Sequence, residues 1–384
     1  MALLFVLMMC VALSTCIVVL EPDHIIEAGK KGTIFGYHFD AKDSKLVIAA
    51  PSSMQNSSGF VQLGSGVIIH GPPGRKKDFA SVGVAVNKRF IIVGTRYPTS
   101  YIDIYKATFP HQLICSLNLT RIPQMYDIAM NENDTIVVTS NYNSVHVFDR
   151  KKLSFWQDFF NETYGDYQAR TRVTISGNNF AISTYHEIKE HGRSIYFKAF
   201  LHLYQFSHGK WRKLQTLFSP GSFCKYFGRP IAMSGKMIAL GCWSNDTILV
   251  YGLRDKMWVL TGKIHHQTTI YDDLICRFSV QNGLIAASYG NATTVYKSTL
   301  TTDNHMTWEK YAVLNAPRYD YQFGLTHVCI DRKLVYTGMI PLGDAKNSKI
   351  LVHKLPQTTN EGNHFSFQLT NKIPFMITAI ILRL

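Results

Sequence analysis

Three short stretches contain residue types that could bind a metal or a phosphate. The segment His186-Glu187-Ile188-Lys189-Glu190-His191 resembles a zinc-protease motif, but that motif needs histidines at i and i+4 on one helical face, and these are five apart. The turn Asn131-Glu132-Asn133-Asp134 lacks the glycine and the spacing of a calcium loop. Gly228 to Lys236 resembles a phosphate loop, but Met237 stands where Ser or Thr would bind magnesium. We therefore expect no bound metal and no cofactor.

Charge gives a clearer indication of a binding partner. The chain has 40 Lys and Arg against 26 Asp and Glu, a formal net charge of +14. Such a balance suits an acidic partner, such as a sulfated glycan, an anionic cell surface or an acidic protein. The densest basic segment is Arg75-Lys76-Lys77, which we predict to be an anion-binding loop, with an ordinary soluble turn as the alternative.

The first twenty residues, Met1 to Leu20, contain no charged side chain and are predicted to be a signal peptide. An uncleaved membrane anchor is the alternative, because the apolar stretch is just long enough to span a bilayer. Six Asn-x-Ser/Thr sequons favour a secreted or cell-surface protein, for which nucleic acid is not an expected partner. The sequon asparagines are Asn56, Asn118, Asn133, Asn161, Asn245 and Asn291.

Cleavage after Leu20 would leave five cysteines. Five is an odd number and low for a chain of this length, so no disulfide framework defines the fold. Cys224 and Cys242 flank the two central strands of one predicted repeat, so they could form a disulfide in an oxidising compartment. Buried free thiols in strands are the alternative.

The elements that must position these residues recur along the chain. Seven short apolar runs return about every 45 to 55 residues, a period typical of β-propellers, in which each repeat forms one blade. We therefore predict an all-β, seven-bladed propeller of four-stranded antiparallel blades over residues 21–356. The runs are Leu46–Ala49, Phe90–Val93, Ile136–Val138, Phe180–Ser183, Met237–Leu240, Leu284–Ala287 and Leu334–Thr337.

The order of strands within a blade can be predicted from the same pattern. The apolar runs are second strands, because a blade sandwiched between two neighbours must be apolar on both faces. Residues His186 to His191 then fall in a long loop between the second and third strands of the fourth blade. Four tryptophans follow the third strands in one phase of the repeat, which predicts that they pack between blades: Trp156, Trp211, Trp258 and Trp308.

Several repeats resemble a known family. Phe35-Gly36 followed by Ala49-Ala50-Pro51 looks like the FG-GAP repeat of integrin α-subunit propellers, with weaker echoes at Phe79-Ala80, Phe227-Gly228 and Phe323-Gly324. The resemblance covers most of residues 32–355 and implies a propeller that binds partners through its loops. The calcium loop found in several integrin-type blades is missing here, and so are the Gly-His and Trp-Asp pairs of WD40 repeats.

A propeller closes when a strand from elsewhere completes its last blade. His24–Glu27 and Phe365–Leu369 are the two candidates. The tail over residues 357–384 has a polar spacer and a short apolar terminus. It therefore resembles either a GPI-attachment signal or a segment packed on the propeller.

These observations predict a secreted or cell-surface binding module that recognises a protein or an anionic glycan without catalysis. Its membrane association would come only through an anchor. The alternative is a secreted glycan hydrolase or lyase, because carboxylates from different blades can meet around a central channel. No nucleophile motif or repeated carboxylate pair supports that alternative, so we name no catalytic residue.

Overall fold

The structure is a computed structural model. It describes residues 18–28, 34–51, 59–73, 79–96, 99–119, 125–140, 144–149, 154–159, 171–190, 193–220, 224, 227–228, 230–242, 247–265, 277–289, 292–300, 306–315, 321–341 and 348–356. All regular elements in this part of the chain are β-strands. They are β1 (Val18–Leu20), β2 (His24–Glu27), β3 (His38–Lys42), β4 (Lys45–Ala50), β5 (Phe60–Leu63), β6 (Ile68–His70), β7 (Gly83–Val86), β8 (Phe90–Thr95), β9 (Tyr101–Lys106), β10 (Leu113–Asn118), β11 (Met125–Met130), β12 (Thr135–Ser140), β13 (Val145–Asp149), β14 (Ser154–Phe159), β15 (Arg172–Ser176), β16 (Asn179–Glu190), β17 (Arg193–Ser207), β18 (Lys210–Phe218), β19 (Ile231–Ser234), β20 (Met237–Cys242), β21 (Thr247–Arg254), β22 (Met257–His265), β23 (Arg277–Gln281), β24 (Leu284–Tyr289), β25 (Ala292–Leu300), β26 (Met306–Asn315), β27 (Tyr321–Asp331), β28 (Leu334–Pro341) and β29 (Lys349–Lys354).

The strands form seven antiparallel sheets, which we number as blades 1 to 7 in chain order. Blades 1 to 6 each contain four consecutive strands, beginning at β3, β7, β11, β15, β19 and β23. The first strand of each blade contacts the first strand of the next, and β27 of blade 7 contacts β3 of blade 1. The predicted seven-bladed propeller is therefore confirmed.

The N-terminal segment completes the ring. Strand β2 pairs antiparallel with β29 and supplies the fourth strand of blade 7, with Ile25 opposite Leu351. Of the two predicted closing strands, His24–Glu27 is thus confirmed, whereas Phe365–Leu369 and the rest of the tail lie outside the described residues. Strand β1 adds parallel to the edge of blade 6. Cleavage after Leu20, as predicted, would remove β1 and leave β2.

The core is divided among the contacts between neighbouring blades. Each hydrophobic cluster in the described residues combines side chains of two adjacent blades, and the clusters together join all seven blades in a ring. A second strand therefore buries both faces: β8 and β12 are buried at every position. This burial explains the apolar runs that return along the sequence.

The Phe-Gly pairs perform a packing role at the entrance to the first strand. Phe35, Phe79 and Phe227 are fully buried between blades. Gly36 has φ +76°, and a Cβ at this position would lie 2.7 Å from Cδ1 of Ile350. The equivalent Ala80 also has a positive φ, 61°, so the backbone keeps this left-handed turn even without glycine.

The outer strands show an irregularity that corrects the interpretation of the tryptophans. Strands β10, β14, β18, β22 and β26 each have a register shift of one residue where they pair with the third strand. Trp211, Trp258 and Trp308 lie three residues before the shift, and the first two are buried between blades as predicted. Trp156 lies on the shifted position itself, so the prediction of a single phase was wrong for it.

A second correction concerns blade 4. Strands β16 and β17 continue as one long hairpin through Glu190 and Arg193, so the predicted loop between them is a paired β-ribbon. His186 pairs with Lys198 and Glu187 with Phe197 in this ribbon. Residues 186–190 are therefore strand and not the helix that a zinc-protease motif requires, and His191 lies outside the described residues.

The antiparallel order of the blades separates the turns onto two faces. The turns between first and second strands and between third and fourth strands lie on one face, which we call the hairpin face. The loops between second and third strands and the connections between blades lie on the opposite face, the loop face. No helix in the described residues has the length and apolar character needed to cross a membrane.

Candidate functional site

The first strands of all seven blades line a central cavity of about 350 Å³. Strands β3, β11 and β15 supply most of its charged side chains, including Asp40, Lys42, Asp127 and Arg172. This cavity is the place where an enzyme of this fold would gather acid and base groups. The contacts of its carboxylates therefore decide between binding and catalysis.

Polar side chains on the first strands tie each blade to the next. In three blades, a polar side chain of the first strand accepts a hydrogen bond from a backbone amide of the following blade. Such bonds satisfy amides on the inner edge of the sheet, which would otherwise face the channel without a partner. The acceptor and amide pairs are Asp40 and Val86 (2.8 Å), Asp127 and Val173 (3.1 Å), and Ser279 and Ile330 (2.9 Å).

A second set of bonds links the turns between first and second strands. Asn87 accepts from the amides of its own turn and donates to the carbonyl of Asn131 in blade 3, at 2.9 Å. Asn131 repeats both roles, donating to the carbonyl of Gly177 in blade 4 at 2.7 Å. Similar bonds join the next blade to Ser176 and Gln281, while Asp331 accepts from Ser44 of blade 1.

Two of the three carboxylates in the described channel lining are paired with opposite charges. Lys42 of blade 1 reaches Glu132 of blade 3, with Nζ and Oε2 3.2 Å apart. Burial raises the pKa of Glu132, but hydrogen bonds from backbone amides and the Lys42 charge outweigh it and lower the pKa overall. Arg172 lies 3.9 Å from Oδ2 of Asp127 and stacks over Tyr126. Asp127 and Glu132 therefore each form an ion pair, whereas burial raises the pKa of Asp40, the third carboxylate of the described lining.

Two further groups near the channel bear on the enzyme alternative. The rings of His38 and His327 lie 5.7 Å apart, between blades 1 and 7. Cys329 is buried beside Asp40, and burial together with that carboxylate raises the pKa of its thiol. A thiol held protonated in this way is a poor nucleophile. The histidine pair is the feature that favours the enzyme alternative.

The sites named from the sequence fall in different parts of the molecule. Asn118, at the end of β10, and Asn133, on a turn of the hairpin face, are exposed to solvent. The structure joins Cys224 and Cys242 by a disulfide, with Cα atoms 4.9 Å apart. The other sequon asparagines (Asn56, Asn161, Asn245 and Asn291) and the basic segment Arg75, Lys76 and Lys77 lie outside the described residues.

The hairpin face has many exposed Lys and Arg side chains, whereas two of its carboxylates are buried. Asp134 and Asp331 are buried and bond to Asn87 and Ser44 of neighbouring blades. Asp43 and Asp255 also lie on these turns. The exposed cations on or beside the turns are Lys88, Arg89, Lys106, Lys210, Lys236, Arg254, Lys256, Arg332, Lys333 and Lys354.

A belt of buried polar residues on the third strands was missed by the sequence analysis. In five blades, the third-strand residue opposite the same position of the second strand is polar and buried. Asp103, for example, accepts a hydrogen bond from Ser116 at 2.5 Å. The alternation of polar and apolar residues in third strands was the available signal. The five residues are Gln62, Asp103, His146, His202 and Thr294.

In the part of the chain that the structure describes, no group of three or more His, Cys, Asp or Glu side chains is placed to bind a metal ion. The charged lining of the channel therefore consists of the pairs and hydrogen bonds given above. Its arrangement can hold the ring together, whereas the cations of the hairpin face are exposed to solvent.

Comparison with known proteins supports the fold. No family model and no curated protein matches this sequence. Among solved structures, "Structure of U3-55K" has a TM-score of 0.58 and 12% identity, covering 86% of this chain and 98% of that one. "Crystal structure of RRP9 WD40 repeats" has a TM-score of 0.57 and 11% identity, covering 87% and 97%. "Complex of KlAtg21 with coiled-coil of AgAtg16" has a TM-score of 0.52 and 12% identity, covering 83% and 98%.

These identities are low, so the likeness concerns the fold: the chain is similar to WD40 β-propellers. The similarity extends over most of the described ring, although the sequence lacks the paired dipeptide signals of WD40 repeats. The propeller fold is therefore shared where the local motifs are not.

Proposed function

We propose that this protein is a secreted or cell-surface binding module that recognises an anionic glycan or an acidic protein without catalysing a reaction. The carrying observation is the charge arrangement. Asp127 and Glu132 in the channel are paired with Arg172 and Lys42, whereas many cations of the hairpin face are exposed. A net charge of +14 on a closed, rigid ring favours association with an anionic partner.

The propeller fold supports a binding role. A propeller holds its loops and turns on a rigid ring, so they can differ in sequence without changing the core. The FG-GAP resemblance points to an adhesion-type module. One of the similar structures is titled as a complex with a coiled coil, which is consistent with a protein partner for a ring of this shape.

Heparin-affinity chromatography of the intact protein tests the proposal. We expect elution well above the salt concentration that releases a monomeric propeller of near-zero net charge, because screening must disrupt several ionic contacts. Elution together with that neutral control would refute recognition of an anionic partner.

The secretory part of the proposal has its own test. Asn118 and Asn133 are exposed, so both sequons should carry glycans when the protein is produced in eukaryotic secretory cells. Peptide mapping of the secreted protein would detect them, together with the mature N-terminus. Retention of the full chain inside the cell, without glycans, would contradict this part.

A glycan hydrolase or lyase remains the second candidate because of the His38 and His327 pair. If it were correct, replacing both histidines by Gln would abolish the release of shorter sugars from a glycan substrate while leaving binding unchanged. Under the favoured proposal, neither the natural protein nor this variant releases products.

A further inference from the structure

A groove of about 270 Å³ lies at the hairpin face where blade 7, blade 1 and blade 2 meet. Its lining includes Lys45, His24 and His111, together with Tyr336 and the turn Gly64-Ser65. Unlike the channel, the described lining of this groove contains no carboxylate. Lys45 is the one charged side chain in this lining, and the size of the groove suits one ring of a small ligand better than a folded segment of protein.

Lys45 is held in the groove by the neighbouring blade. Its Nζ donates to the carbonyl oxygen of Lys88, which lies on the turn between the first and second strands of blade 2. The same turn also contacts the turn between the third and fourth strands of blade 2, because the amide of Ala107 donates to the carbonyl of Arg89 at 2.9 Å. Two turns of blade 2 and one of blade 1 thus form a single connected wall.

The basic residues along this wall differ in their availability. Arg89 pairs with the buried Asp134 and belongs to the bonds between blades 2 and 3. Lys88 and Lys106 are exposed on the two turns. Lys45 lines the groove itself, whereas Lys88 and Lys106 are carried by the turns beside it, Lys106 next to the lining residue Ala107.

An exposed aromatic ring lies on the turn between Ala107 and His111, both of which line the groove. The side chain of Phe109 is 83% exposed, and its ring meets that of His111 edge to face, with centroids 6.2 Å apart. The amide of His111 donates to the carbonyl of Thr108 at 2.9 Å, which closes the turn that presents Phe109 to solvent. Exposed aromatic rings of this kind commonly serve as contact surfaces for a ligand.

We propose that this groove binds a sulfated sugar of an anionic glycan, with the sugar ring on Phe109 and a sulfate group at Lys45, Lys88 and Lys106. The inference rests on the proposed function and assigns it a site separate from the segment Arg75 to Lys77. A sulfated sugar offers both an apolar ring face and compact negative charge, which matches one aromatic ring beside three cations. An acidic protein would be expected to require a larger apolar contact.

The test is titration of the intact protein with a heparin-derived hexasaccharide and with the same hexasaccharide after desulfation. Phe109→Ala should weaken binding of the sulfated form about fivefold without affecting folding, because the ring packs on little of the protein. Lys106→Gln should weaken it by a similar factor, since it removes one exposed ionic contact.

Two control variants separate this site from general charge attraction. Lys256→Gln removes an exposed cation from the same face in blade 5, and its affinity should stay within about twofold of the natural protein. The triple variant Arg75→Gln, Lys76→Gln and Lys77→Gln tests the basic segment named from the sequence. Circular dichroism confirms that each variant is folded.

The outcomes distinguish the site from the function. If the natural protein binds but Phe109→Ala and Lys106→Gln have no more effect than Lys256→Gln, the groove is not the site, although the proposed function stands. Loss of binding in the triple variant alone would also overturn the groove. If the natural protein binds neither hexasaccharide, the proposed recognition of a glycan fails as well. Tighter binding of polyglutamate or of phosphoinositide vesicles than of the hexasaccharide would exclude a sulfated sugar as the ligand.

Discussion

Asp127 lines the channel, and its carboxylate also joins blade 3 to blade 4. Its Oδ2 accepts the amide of Val173 in blade 4 and lies 3.9 Å from Arg172. Both contacts come from blade 4, so the carboxylate joins two neighbouring blades. The residue types alone would have fitted an acid/base pair, and the partners show the structural role.

Gly36 and Ala80 occupy equivalent left-handed turns before the first strands of blades 1 and 2, and we expect opposite substitutions at these two positions to differ in their effect on stability. Gly36→Ala should lower the free energy of unfolding by about 1 to 3 kcal/mol, since it adds a Cβ to a residue with φ +76° that contacts Ile350. Ala80→Gly should stay within about 1 kcal/mol of the natural protein, because relief of its positive φ offsets the lost methyl contact. Urea unfolding measures both, and equal losses would contradict the account.

His353, on β29, should make the stability of the folded protein depend on pH. Burial lowers its pKa to about 4, with Asp23 opposing the shift. Since the unfolded chain binds this proton near pH 6.5, the contribution of His353 is full above pH 6.5 and is lost as the pH falls to 4. It amounts to about 3 kcal/mol at most.

We therefore expect His353→Gln to flatten the decline of stability between pH 6.5 and pH 4 in urea unfolding. His208→Gln, on an exposed turn, should leave that decline unchanged. The prediction concerns the slope with pH and not the stability of the variant at pH 7. A slope as steep in His353→Gln as in the natural protein would contradict it.

Among the elements, those that could be predicted from the sequence are the ones buried on two faces. Strands β8 and β12 are apolar throughout because neighbouring blades cover them. The shifts in the outer strands could not be predicted, since a single extra residue depends on how the edge of the sheet twists. The extension of β16 and β17 was missed because polar residues such as Glu187 and Lys198 occur in exposed ribbons and in loops alike.

The candidate site was less accessible to sequence analysis than the fold. The basic segment Arg75 to Lys77 was found because its charges are adjacent in sequence. Lys45 of blade 1 and Ala107 and His111 of blade 2 line one groove, and only the ring brings them together. The same holds for Asp40 and Val86, which are 46 positions apart and meet across a blade contact.

The closing strand predicts the effect of shortening the N-terminus. A chain beginning at Glu21 loses β1 but keeps β2, so its Tm should fall only a few degrees below that of a chain beginning at Val18. A chain beginning at Gly29 also loses β2, which exposes the edge of β29 and removes Ile26 from the cluster between blades 7 and 1.

The chain beginning at Gly29 should therefore aggregate, or its Tm should be well below the Tm of the chains beginning at Val18 and Glu21. Thermal unfolding and size-exclusion chromatography of the three chains provide the comparison. A chain beginning at Gly29 that remains monomeric with an unchanged Tm would show that β2 is not needed to close the ring.

For the whole molecule, the closed ring separates two kinds of charge. Charges at the channel connect blades that lie far apart in sequence, as Lys42 and Glu132 do. Charges on the hairpin turns are exposed and add to an excess of +14 over the chain. The ring can therefore present a cationic face while Asp127 and Glu132 of its channel are paired with cations, which is the basis of the proposed recognition of an anionic partner.

The central claim is that the intact protein binds an anionic glycan and leaves it unchanged. The most direct measurement is a titration with the heparin-derived hexasaccharide at increasing salt, followed by mass spectrometry of the recovered sugar. We predict saturable binding that weakens with salt and a hexasaccharide recovered with its original mass. Shortened sugar products, or no binding at low salt, would contradict the account.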